Sequence, residues 1–158
     1  MNQTEIRDGV FFPNFETSEL ERSLFIEFEI RLRNAGFKYL SIPSLVTKDT
    51  YDRQDVAPWE KVFKIDDNFA LAGSAEQGIL EYFKNKEVEP VTIYAKNQCF
   101  RAEKSYEGFK RLREFQKIEQ FAFCTEKTYK NSLDVLLGLS VDFLDYYSIK
   151  HRIVDVTT

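Results

Sequence analysis

A chain of 158 residues, 43% hydrophobic and 30% charged, with fifteen Phe and eight Tyr, has the composition of one globular domain and excludes a disordered or fibrous chain. Its net charge of −4, with 22 basic residues spread among 26 acidic ones, excludes a whole-chain field for nucleic acid. Two cysteines, Cys99 and Cys124, and a single histidine, His151, exclude a disulfide framework and a Cys/His metal site, and no apolar run is long enough to span a bilayer. The expectation is a soluble protein of a reducing cytosol, with no membrane partner and no metal of its own.

The first patterned segment runs from Ser18 to Ala35, where Leu20, Leu24, Phe28 and Leu32 recur at four-residue spacing. Ser18 with Glu21 reads as a capping box and Gly36 as the C-terminal stop. Phe37 to Ile42 reads as a strand ending at Pro43, and Lys61 to Ala72 as two short strands turning at Asp66-Asp67-Asn68. A shorter helix follows from about Ser74 to Lys84. Val91 to Glu103 is then a strand, with an exposed loop to Leu112 and a returning strand from Arg113 to Cys124. A long helix over about Tyr129 to Tyr147 covers the sheet, and Arg152 to Val156 reads as a last strand. The expected fold class is α+β, a single domain with an antiparallel sheet flanked by helices. A final strand with nothing after it reads as an uncovered sheet edge, so the chain looks truncated.

Chemistry concentrates in the strand–loop–strand. Side chains alternate along a strand, so Arg101 and Glu103 share one face, and Phe115, Lys117 and Glu119 share a face of the returning strand. A guanidinium grips phosphate bidentately, a carboxylate accepts from an adenine amino group, and an aromatic ring stacks on a purine. Spacing alone leaves open that Arg101 and Glu103 only make cross-strand ion pairs and that Phe115 is only core.

The segment Cys99-Phe100-Arg101-Ala102-Glu103, a polar loop, then Arg111 to Phe121 (RLREFQKIEQF) resembles motif 2 of the class II aminoacyl-tRNA synthetases, and within them the seryl branch. Arg22 to Pro43, with the helix before it starting at Ser18, is similar to motif 1. Leu71-Ala72-Gly73-Ser74-Ala75-Glu76 resembles the Thr-x-Glu loop of seryl, prolyl and threonyl enzymes, with Ser74 in place of Thr. Ser74 with Gln77 also reads as an ordinary helix capping box. The resemblance implies a class II fold and an ATP site. In it Arg101 holds the α-phosphate and is catalytic, Glu103 reads the adenine, Phe115 stacks on the ring and Arg111 reaches the outer phosphates. Ser74, Glu76, Lys117 and Glu119 would take the amino acid, serine being favoured.

It further implies Mg with the nucleotide, a tRNA acceptor end as partner and a homodimer through the motif 1 region. Motif 3, a glycine-rich strand–helix with an arginine, has no counterpart in the 158 residues. The leading expectation is therefore a serine–tRNA ligase-like enzyme, incomplete as this chain. Beside it stand a catalytically weak paralogue acting as a nucleotide-binding or regulatory module, and an unrelated α+β interaction domain.

Overall fold

The computed structural model describes residues 3–54, 59, 62–102 and 106–155. It opens with a hairpin that sequence reading assigns no element: β1 (Glu5–Arg7) and β2 (Val10–Phe12) pair antiparallel around Asp8-Gly9. Both turn residues have positive φ, 51° and 77°, the geometry whose twist suits a two-residue hairpin.

Helix α1 (Phe15–Asn34) begins ahead of Ser18, because Asn14 is the cap: its Oδ1 accepts from the Thr17 amide at 2.8 Å. The expected Ser18–Glu21 capping box is corrected, since the Ser18 hydroxyl donates back to the Asn14 carbonyl at 2.8 Å. At the other end Gly36, at φ 87°, stops the helix as expected, and the Phe37 amide returns to the Leu32 carbonyl at 3.0 Å.

Strand β3 is confined to Lys38–Tyr39, shorter than the expected Phe37 to Ile42. Past Pro43 come β4 (Leu45–Thr47) and α2 (Lys48–Gln54). The turn expected at Asp66 forms, with Asp66 Oδ1 accepting from the amides of Asn68 (2.7 Å) and Phe69 (2.9 Å), and Lys64 bridges Ala70. The ladder of β5 (Phe69–Leu71), however, is with β4, Leu45 opposite Leu71, and Lys61 lies outside the described residues. Helix α3 (Ala75–Phe83) carries the expected Ser74–Gln77 capping box.

Two long strands follow, β6 (Val91–Phe100) and β7 (Glu114–Phe123), antiparallel along their whole length from Val91↔Phe123 to Phe100↔Glu114. A short 3-10 helix, Gly108–Lys110, lies in the loop between them, and α4 (Tyr129–Tyr146) comes last. The strand expected over Arg152 to Val156 is absent: residues 152–155 form no ladder with any described strand, and Val156 lies outside the described residues.

The main sheet has the order β3-β6-β7, and β3 runs parallel to β6, Lys38 opposite Ile93. An all-antiparallel sheet is thereby corrected. The excursion through β4, α2, β5 and α3 is long enough to bring the chain back in the same direction, which a tight turn cannot do. Alternation gives the sheet two dressed faces. Ile93 and Ala95 pack on Ala75 and Ile79 of α3, with Phe83, Phe121 and Phe123 around them. Tyr94, on the other face, packs with Leu32, Phe37 and Ile118 beneath Leu136 and Leu139 of α4. A third cluster joins Val46, Tyr51, Ala70 and Ala72, with Trp59 set edge-on to Tyr51 at 5.7 Å. Gly78 lets α3 approach the segment between β3 and β4: a Cβ there would lie 2.9 Å from Ile42. Among the described residues no helix is long and apolar enough to cross a membrane.

Candidate functional site

The α3 face of the β6–β7 ribbon carries the site. In register, Ala95 faces Glu119, Asn97 faces Lys117 and Cys99 faces Phe115, so the odd-numbered residues of both strands project together. Around Ile93, Ala95, Phe121 and Phe123 the face is dry core, and Glu119, Lys117 and Asn97 make the next stretch polar.

Ser74 enters this surface from the N-terminus of α3. Its hydroxyl lies 3.2 Å from Glu119 Oε2, to which it donates, and accepts from Lys117 Nζ at 3.3 Å; Lys117 and Glu119 are themselves 2.6 Å apart. The Glu76 amide donates to the same hydroxyl at 3.4 Å. Ser74, Glu76, Lys117 and Glu119, separated by more than forty positions at the widest, thus meet in one place. Burial pushes the Glu76 carboxyl above its usual range and the charge of Glu119 pushes it further, while Lys117 and the Gln54 amide pull it back. Two carboxylates and one ammonium leave the cluster short of positive charge, which suits a ligand bearing its own ammonium group.

Farther along the face, about 7 Å for each pair of residues, lies Phe115. The Arg101 guanidinium sits 4.9 Å above its ring and the Arg101 amide donates to the Arg113 carbonyl at 2.8 Å, holding the two strands together past the end of β6. Arg101 is exposed and Phe115 half-buried. Arg111 is exposed at the foot of the loop, bridged through its backbone to Glu107. Glu103 lies outside the described residues. Cys99 lies fully buried in this face, its thiol pushed up chiefly by burial and so held as an inert neutral group.

Sequence reading missed Tyr51 and Gln54. Gln54 gives its amide to Glu76, and Tyr51 underlies the Gly73 turn; their partners lie far away along the chain, and no local motif marks either.

Residues 61–158 match the model of the tRNA synthetase class II core domain (G, H, P, S and T). The chain belongs to this class II synthetase family. Its curated relatives include the serine–tRNA ligase of Chloroherpeton thalassium, 27% identical over 164 residues, an alignment covering 92% of this chain and 38% of the relative. That of Nostoc punctiforme is 30% identical over 88% of this chain and 35% of its own length. Among solved structures, seryl-tRNA synthetase from Pyrococcus horikoshii, complexed with ATP, superposes with a TM-score of 0.76 at 19% identity, covering 87% of this chain and 33% of that one. That likeness establishes the α+β class II fold. The chain spans about a third of the length of these relatives.

Proposed function

We propose that this class II chain binds ATP and a small amino acid, serine favoured, and joins them as an aminoacyl-adenylate for transfer to the acceptor end of a tRNA. The observation that carries the reading is the Ser74–Lys117–Glu119 network beside Glu76, set on the sheet face that also bears Phe115 and Arg101. One end of the face suits an ammonium and a short polar side chain; the other suits a phosphate and a purine.

In this reaction an oxygen of the amino-acid carboxylate bonds to the α-phosphorus of ATP, and the bond to the bridging oxygen breaks, releasing pyrophosphate. No protein nucleophile takes part, so catalysis is positioning and charge neutralisation. Arg101 neutralises the α-phosphate, Phe115 offers its ring to adenine, and Arg111 reaches toward the outer phosphates. Glu76 and Glu119 take the α-ammonium, with Ser74 and Lys117 closing on the rest of the amino acid. Mg belongs to this scheme as a companion of the ATP phosphates.

The partner surfaces follow the same proposal. A homodimer through α1 is supported by exposed Phe15, Leu20, Ile26 and Ile30 on that helix, and sedimentation is expected to give twice the 18.6 kDa chain mass. Exposed Lys110 and Arg111 in the loop between β6 and β7 could meet an acceptor stem, and the two free thiols, Cys99 and Cys124, fit a reducing cytoplasm.

Calorimetric titration with ATP and with a nonhydrolysable seryl-adenylate analogue tests the reading. Both are expected to bind, and pyrophosphate exchange across amino acids is expected to respond to serine. Binding without exchange for any amino acid would favour the regulatory module; binding of neither probe would sink the proposal.

A further inference from the structure

Tyr51 and Gln77 are polar side chains with only 3% and 4% of their surfaces exposed, and each turns its polar end on the stretch that leaves β5, Leu71 to Ser74. The Tyr51 hydroxyl donates to the Leu71 carbonyl at 2.8 Å and accepts from the Gly73 amide at 2.9 Å, while also bonding the Gln77 side chain. Gln77 Oε1 accepts from the Gly73 amide at 2.7 Å and from the Ser74 amide at 3.1 Å. The phenol has one proton and two lone pairs, so these three bonds satisfy it fully.

Among the described residues no strand or helix carbonyl receives the amides of Gly73 and Ser74, and the two side chains stand in for a ladder. The turn is also tied to its neighbours through Ala72, whose amide donates to Ser44 at 2.7 Å and whose carbonyl accepts from Phe100 at 2.8 Å. Those bonds fix where the turn sits. The bonds from Tyr51 and Gln77 fix how the Gly73–Ser74 backbone is rotated, and therefore whether the Ser74 hydroxyl can lie between Lys117 and Glu119.

We propose that Tyr51, assisted by Gln77, is a positioning residue for the amino-acid half of the site: its hydroxyl sets the Gly73 turn that aims Ser74 and Glu76 at the ligand. The inference rests on the proposed amino-acid and nucleotide site. It separates the two halves of that site, because among the described residues the hydrogen bonds of both side chains run to Leu71, Gly73, Ser74 and each other, on the amino-acid side.

Tyr51→Phe removes the hydroxyl and keeps the ring against Trp59. The expected result by calorimetry is about a tenfold weaker affinity for the nonhydrolysable seryl-adenylate analogue, the loss of roughly one buried hydrogen bond, with ATP affinity changed by less than about twofold. Amide exchange at Gly73 should accelerate while that of the β6 amides stays put, a change that loss of packing alone does not produce. Gln77→Leu, a second variant, should give the same split if Tyr51→Phe fails to fold. Equal losses for both ligands, or no loss for either, would overturn the positioning role and leave the proposed site standing. Wild-type protein that binds neither probe would overturn both.

Discussion

An Arg101→Ala variant is expected to lose about 10²–10³-fold in serine-dependent pyrophosphate exchange while melting within roughly 2 °C of the parent. The two magnitudes come from different environments. In the folded protein the Arg101 side chain is exposed, and its resolved contact is the guanidinium over the Phe115 ring at 4.9 Å, worth about 0.5–1 kcal/mol at an exposed site. In the proposed reaction the same guanidinium would meet charge that grows at the α-phosphate as pyrophosphate departs, and losing one such donor costs about 3–4 kcal/mol of barrier. Arg101→Lys sharpens the test. It keeps the charge and gives up the planar fork, so it should recover only part of the rate. Exchange within twofold of wild type in Arg101→Ala would remove Arg101 from the mechanism.

The site was legible in the sequence where its signals were local. Ser74 and Gln77 sit three positions apart, and the capping box they announce is the one that forms. The alternation of Phe115, Lys117 and Glu119 was equally readable, because period 2 fixes which side chains share a face. What alternation cannot give is the partner across the face. Lys117 meets Ser74 from 43 positions away, and Tyr51 reaches Gly73 from 22, distances at which no periodic pattern operates.

The misread elements have the same origin. Asn14 and Ser18 are both good capping residues, and the choice between them falls to which oxygen finds a free amide: Asn14 finds Thr17, while Ser18 spends its hydroxyl on a carbonyl. β3 reads as a strand but says nothing of its direction, which depends on the length of the excursion before β6. The hairpin around Asp8-Gly9 went unread because its strands are only three residues each, too short for a pattern to emerge.

Glu76 supplies the opposite kind of prediction, one in which removing a functional group strengthens the fold. Its carboxyl is pushed up first by burial and then by Glu119, so the fold favours its protonated form more than the unfolded chain does. A group raised in the folded state gives stability that is present below the ordinary carboxylate range and lost as pH rises through the raised value. Above the raised value the ionised carboxylate is held against that preference, and the cost falls on the ligand-free protein. Glu76→Gln should therefore melt higher at pH 7, by roughly 1–3 °C, and should flatten the decline in stability on the alkaline side of the usual carboxylate range. The same substitution deletes a charged partner for the ligand ammonium, so affinity for the seryl-adenylate analogue should fall about 10- to 100-fold. Wild-type affinity should in turn weaken on acidification at a higher pH than an ordinary glutamate would impose. A variant less stable than its parent at pH 7 would mean that Glu76 serves the fold, and its place at the ammonium end of the site would have to be given up.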